Sequence, residues 1–145
     1  NANVANMRQF AILGLLIVVH GACASVRRGN LDDLKPALET FHERIRWKDF
    51  RGAAELVAPE RRSDFIRARA KSSDDRDLFI TDYQLEDAQV GQNQLEANAV
   101  SRISWYRLPE GIEHTATVTT RLVWKESRWL VDRQDEGPFE DLNYE

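Results

Sequence analysis

Beyond residue 30 the spacing of apolar residues changes once, near Leu78, and this change limits the folds that the chain can adopt. From Leu31 to Leu78 apolar residues recur every three or four positions, as on one face of a helix, and after Leu78 they alternate with polar residues, as on a half-buried strand. Helices therefore come first and strands come second. This order predicts an α+β fold in which N-terminal helices pack against a four-stranded antiparallel sheet.

Three helices are predicted before the sheet. The first begins close to Asp33, because Pro36 is tolerated only in a first helical turn. Asp49 caps a short second helix, and Pro59 opens a third that ends near Lys71. The first helix carries an apolar stripe, which we interpret as a packing surface rather than a cofactor site: Leu31, Leu34, Leu38, Phe41 and Ile45.

Four strands are predicted from Leu78 onward, and strict alternation in the first strand places Phe79 and Tyr83 on one face and Ile80 on the other. The third strand alternates most regularly, with His114 on the same face as Val118. Three turns separate the strands: Gly91-Gln92-Asn93, Leu108-Pro109-Glu110-Gly111 and Lys125-Glu126-Ser127.

An apolar run from Phe10 to Val19 comes after the positive charge of Arg8 and before a group of small residues. This order is that of an export signal. The run is too short to cross a membrane as a helix, which needs about 20 apolar residues. We expect residues 1–6 to be an upstream extension, 7–22 a signal peptide and 23–30 a linker.

Gly21, Ala22 and Cys23 resemble the bacterial lipobox, in which the cysteine is lipidated and becomes the new N-terminus. His20 departs from that pattern, which prefers an aliphatic residue there. Cys23 is the only cysteine of the chain, so it has no intramolecular disulfide partner, and this favours lipidation. Cleavage by ordinary signal peptidase after Ala24 and an uncleaved anchor are the alternatives.

The lipobox resemblance also implies a location. With Ala24 after the lipidated Cys23, it implies an outer-membrane lipoprotein that faces the periplasm and is held to the lipid bilayer through Cys23. A secreted or soluble periplasmic protein is the alternative.

Two segments, WKDFRGAAELVAP at 47–59 and TTRLVWKESRWLVDRQ at 119–134, together with the element order, resemble the nuclear transport factor 2-like superfamily. The resemblance covers 31–134 and implies the cone-shaped cystatin-like fold, in which a strongly bent four-stranded sheet wraps the long helix and leaves a pocket. Such folds carry isomerases, dehydratases and transport or assembly factors, so the fold does not settle the function. An acidic tail, 135–145, is expected to be loose and solvent-exposed.

The candidate pocket residues are aromatic or titratable side chains of the predicted sheet: Tyr83, Trp105, His114 and Trp124. The aromatic ones suit either an apolar cavity or packing against the first helix. His114 is the candidate general base, although no partner for it can be assigned. Asp82 and Tyr83 fall on opposite faces, so the carboxylate and tyrosine of the related isomerases are not carried over.

Composition and motifs argue against several function classes. The net charge of −4 is unlike that of a nucleic-acid-binding domain. His42 and His114 have no metal-ligand spacing, and no Gly-rich phosphate loop is present, so we expect neither metal nor cofactor.

The sequence therefore predicts an exported, lipid-anchored envelope protein of non-catalytic binding or accessory type. Its small apolar pocket would take a small hydrophobic ligand, or the domain would bind an envelope protein partner. The alternative is a small-substrate isomerase or lyase that uses His114 or a pocket carboxylate as its general base. Pairing through the sheet into a homodimer is a further hypothesis.

Overall fold

The computed structural model describes residues 28–139, in which helices pack on one antiparallel sheet, and the predicted α+β class is confirmed. The export segment and Cys23 lie outside the described residues. The helices are α1 (Leu31–Arg46), α2 (Phe50–Ala54), α3 (Arg62–Lys71) and α4 (Asp74–Asp77), with a 3₁₀ turn at Pro59–Arg61. The strands are β1 (Leu78–Val90), β2 (Glu96–Arg107), β3 (His114–Lys125) and β4 (Arg128–Asp135), adjacent in that order.

The first helix begins two residues earlier than Pro36 led us to expect. Asn30 is its N-cap, and the Asn30 side chain accepts a hydrogen bond from the Asp33 backbone N–H at 2.8 Å. Pro36 consequently lies inside the helix, beyond the first turn. Four of the five predicted stripe residues are buried, whereas Leu31 is 50% exposed.

The cap of α2 and the end of α3 agree with the predictions from local sequence. Asp49 caps α2 as predicted, since its carboxylate accepts from the Gly52 N–H at 2.9 Å. Pro59 opens the 3₁₀ turn, and α3 ends at Lys71. The four-residue α4 was not predicted, because its sequence, Asp-Asp-Arg-Asp, carries no apolar periodicity.

Alternation holds in β2 and β3 but fails in β1. The register of β1 against β2 shifts between Ile80 and Asp82 and again between Leu85 and Asp87. Each extra residue reverses the parity of the strand residues after it. Ile80 therefore lies on the same face as Tyr83, and the prediction that strict alternation separates them is wrong.

Helix α1 lies across one face of the sheet, here called the inner face, and contacts β1 and β4. The link between α2 and the 3₁₀ turn covers the outer edge of β4, because the Ala58 N–H donates to the Val131 carbonyl at 2.8 Å. The largest fully buried apolar side chains join helices to sheet: Trp129, Phe41, Phe65, Phe139, Leu34, Leu38, Ile45, Ile103, Leu122, Leu130 and Val57.

The chain after β4 folds back onto the core. Phe139 is 0% exposed, and its ring lies 6.3 Å from that of Phe65 and 4.6 Å from the guanidinium of Arg69. The expectation of a loose, exposed tail is therefore wrong at Phe139. The rest of that tail, 140–145, lies outside the described residues.

A buried carboxylate joins the helices to the sheet. Asp74 is 0% exposed and is held by two guanidinium groups, Arg69 at 3.1 Å and Arg107. These three residues come from α4, α3 and β2. A carboxylate that is buried away from solvent needs such partners, because an isolated buried charge is strongly destabilising.

Replacing Asp74 by alanine should lower the free energy of unfolding by about 3–5 kcal/mol, because both guanidinium groups lose this carboxylate and that of Arg69 is buried. Urea unfolding measures this loss. The neighbouring, exposed Asp75→Ala is the matched control and should stay within about 0.5 kcal/mol of the parent. Equal effects of the two substitutions would contradict the role given to Asp74.

Candidate functional site

A pocket of about 410 Å³ opens between α1 and the edge strand β1. Its volume lies within the range of small-molecule sites, roughly 300–1,000 Å³. The floor is formed by His42, Ile80 and Tyr83. Exposed side chains of the last turns of α1 and its C-cap form the rim: Glu39, Glu43, Arg46 and Trp47.

His42 is the distinctive residue of this pocket. It is only 3% exposed, and its imidazole stacks on the Tyr83 ring with centroids 3.9 Å apart and planes 19° apart. Its Nε2 atom is buried and has no hydrogen-bond partner within residues 28–139. Unpaired buried polar atoms are uncommon because each costs about 1–3 kcal/mol.

Burial sets the protonation of both stacked rings. It lowers the pKa of His42 to about 3, so the imidazole is neutral near pH 7. Burial also raises the pKa of Tyr83; the nearby charge of Glu39 raises it further, whereas the Ser101 hydroxyl, at 3.4 Å, lowers it. A base with a pKa near 3 is poorly matched to proton abstraction at neutral pH. The stacked His42 and Tyr83 are therefore better suited to hydrogen bonding than to proton abstraction.

Only one of the four predicted pocket residues, Tyr83, lines this pocket. Trp105 and His114 pair across β2 and β3, with ring centroids 5.7 Å apart, and lie outside it. The imidazole of His114 is exposed and makes no hydrogen bond or ion pair within the described part of the chain.

Trp124 lies near the opposite end of β3, ten residues from His114 and thus about 33 Å along the strand. Its ring meets that of Trp129 edge-on, with centroids 5.4 Å apart. The two indoles cover Gly29, where a Cβ atom would come within 2.3 Å of Trp129. Trp124 therefore helps to hold the start of the domain and does not share a pocket with His114.

Sequence reasoning treated His42 only as a candidate metal ligand and missed its place in the pocket. A signal was present: His42 comes four positions after Leu38 and three before Ile45, which puts it on the buried stripe of α1. The stacking on Tyr83 had no local signal, because it depends on how α1 lies on the sheet.

A second, more open groove of about 790 Å³ continues along α1 and β1 and shares Glu39 and Tyr83 with the first pocket. Within residues 28–139 no cluster of three or more histidine, cysteine or acidic side chains is arranged to hold a metal ion. No helix in the same range is long and apolar enough to cross a membrane.

No family model and no curated protein matches this sequence. Among solved structures, the chain is similar to the solution structure of a SEC-C motif containing protein from Rhodopseudomonas palustris, with a TM-score of 0.54 and 16% sequence identity. The similarity covers 74% of this chain and 91% of the other. At this identity the two proteins share a fold, and the likeness says nothing of activity.

The stability of the protein should fall below about pH 6.5, because the unfolded chain then protonates His42 while the folded chain does not. The free energy of unfolding should fall by about 1.4 kcal/mol for each pH unit between pH 6.5 and the pKa of His42 in the folded protein. The total loss at pH 5 should then be about 2 kcal/mol. Above pH 7 this penalty is absent.

Urea unfolding of His42→Leu at pH 7.5 and pH 5 checks this slope, which the variant should largely lack. His114→Leu retains His42 and is expected to keep the slope. Parent-like pH dependence in His42→Leu would show that other groups cause it.

Proposed function

We propose that this chain is an exported, lipid-anchored envelope protein of non-catalytic binding type, whose α1–β1 pocket holds a small, largely apolar ligand. The observation that carries the proposal is the buried, unpaired Nε2 atom of His42 on the pocket floor. A ligand with an apolar body would cover the floor, and its one polar group would pair with that nitrogen after a small shift of the stacked His42 and Tyr83 rings.

The proposed domain is a bent cone of the nuclear transport factor 2-like kind, with its ligand site between the long helix and the sheet. Two register shifts in β1 and one in β4, where Asp132 is the extra residue opposite Arg121 and Leu122, support this curvature, because bulges bend a strand and increase its twist. Both β1 shifts occur beside the inner-face residues that border the two grooves.

Binding is favoured over catalysis by the state of the two described histidines. The low pKa of His42 makes it a weak base, although it can hydrogen-bond while neutral. His114, the candidate base of an isomerase or lyase, stacks on Trp105 with no carboxylate partner in the described chain. A general base needs a partner that orients it or a place for the substrate beside it, and the described residues supply neither to His114.

The anchoring part of the proposal rests on the sequence. Cys23 is the only cysteine and comes after the apolar run and small residues of an export signal. We place the lipidated protein in the outer membrane, facing the periplasm; the soluble periplasmic form is the alternative. A single lipid chain binds membranes weakly, so the several chains of a bacterial lipoprotein would be needed for stable anchoring.

The pocket can be tested with a library of small aromatic and aliphatic fragments, read by amide and side-chain NMR shifts. We expect fragments that bind to shift the NMR signals of His42 and Tyr83. The substitution Trp47→Ala should weaken their affinity by about fivefold or more, since an indole contact is worth about 1 kcal/mol. Trp47 is 76% exposed, so its removal should not unfold the protein.

The matched control is Ile112→Ala, which removes another exposed apolar side chain, 61% exposed, outside the pocket. Fragment affinities should be unchanged in this variant. If no fragment shifts His42 or Tyr83, or if Ile112→Ala weakens binding as much as Trp47→Ala, the pocket is not a binding site.

Metabolic labelling with a fatty acid tests the anchor. The parent chain should carry label, and Cys23→Ser should lose it because no other cysteine can accept the lipid. Ala24→Ser changes the adjacent residue but keeps Cys23, and should remain labelled. An unlabelled parent chain would contradict lipidation and leave the secreted or soluble periplasmic form and the uncleaved anchor as alternatives.

A further inference from the structure

The rim of the His42 pocket carries two carboxylates, Glu39 and Glu43, and one guanidinium, Arg46. Together, the pocket and the adjoining groove are lined by five carboxylates and two basic side chains. The carboxylates are Asp32, Glu39, Glu43, Glu86 and Asp87, and the basic residues are Lys35 and Arg46. Glu86 also lies 3.8 Å from the guanidinium of Arg102, so the excess of carboxylates is smaller in the groove than this count gives. A concave site with this imbalance concentrates cations near its mouth.

The carboxylate of Glu43 is directly available to a ligand. It makes no ion pair within residues 28–139, although it stands on the rim of the pocket. Glu39, one helical turn earlier, is 3.8 Å from Lys35, and both side chains are more than half exposed. Such an exposed pair is weak, so it leaves Glu39 able to contact a second cation.

The walls of the pocket suit the same kind of ligand. Trp47 and Tyr83 line the pocket with aromatic rings, whose faces attract cations, and His42 covers one face of Tyr83. The His42 ring adds no positive charge because burial keeps it neutral. The pocket also lies at the C-terminal end of the 16-residue helix α1, where the helix dipole favours positive charge.

We infer that the pocket takes a small organic cation, a protonated amine joined to an apolar or aromatic body. The apolar body lies over Ile80 and Tyr83. The ammonium group lies between Glu39 and Glu43, with one of its N–H groups donating to the Nε2 atom of His42. This inference rests on the proposed binding function and adds the charge of the ligand to it. The buried, unpaired His42 is the observation that independently indicates a ligand at this place.

Arg46 provides a second test of the charge of the ligand, because its own charge is opposite to that of Glu43. It lies three residues after Glu43 on the same rim and makes no ion pair in the described chain. Its guanidinium repels a cationic ligand and attracts an anionic one. Neutralising Arg46 and neutralising Glu43 should therefore change the affinity for one cation in opposite directions.

The test uses three probes of similar size: 2-phenylethylamine, which is cationic, 2-phenylethanol, which is neutral, and phenylacetate, which is anionic. Dissociation constants are measured for the purified protein from the shifts of His42 and Tyr83 at low and moderate salt. We expect the amine to bind about fivefold or more tightly than the alcohol, and phenylacetate to bind most weakly. Added salt should reduce the advantage of the amine.

The variants Glu43→Gln and Arg46→Gln are expected to weaken and to strengthen amine binding, respectively, each by about two- to fivefold. Glu110→Gln, an exposed carboxylate in the turn between β2 and β3, should change nothing. All three residues are exposed, so the variants should fold as the parent does.

Equal affinity for the amine and the alcohol, or tighter binding of phenylacetate, would overturn the cationic ligand while leaving the binding pocket in place. Absence of binding by all three probes also overturns it. If the fragment library likewise fails to shift His42, the proposed binding function falls as well, and the two failures are thereby distinguished.

Discussion

The packing of α1 on the inner face of the sheet is the interaction on which the rest of the molecule depends. Leu34, Leu38 and Phe41 are fully buried there, and each buried side chain of this size contributes about 1.5–3 kcal/mol of transfer free energy. The same contact creates the pocket. β1 is an edge strand, so the flank of α1 that carries His42 faces a cleft instead of another strand.

The irregular register of β1 decides which side chains border that cleft. With perfect alternation Ile80 and Tyr83 would lie on opposite faces, and the floor of the pocket would lose one of them. The register shift after Ile80 places both on the inner face, next to His42. Phe79 is thereby turned to the other face, where it stacks on Tyr106 with ring centroids 4.9 Å apart.

Much of the fold was predictable because it depends on local patterns. Asp49 as a cap, the end of α3 at Lys71 and the alternation of β2 and β3 each depend on a few neighbouring residues. The candidate site was predicted only at Tyr83. Trp105, His114 and Trp124 have suitable chemistry, but their positions along the strands place them at the two ends of the sheet.

The sequence by itself determined the order of helices and strands and the inward faces of β2 and β3, because periodicity and capping act over a few residues. The tertiary structure alone decided the register shifts in β1, the return of Phe139 to the core and the stacking of His42 on Tyr83. These features join residues far apart in the chain. Whether such residues meet is set by how a helix packs on a sheet, which local spacing does not specify.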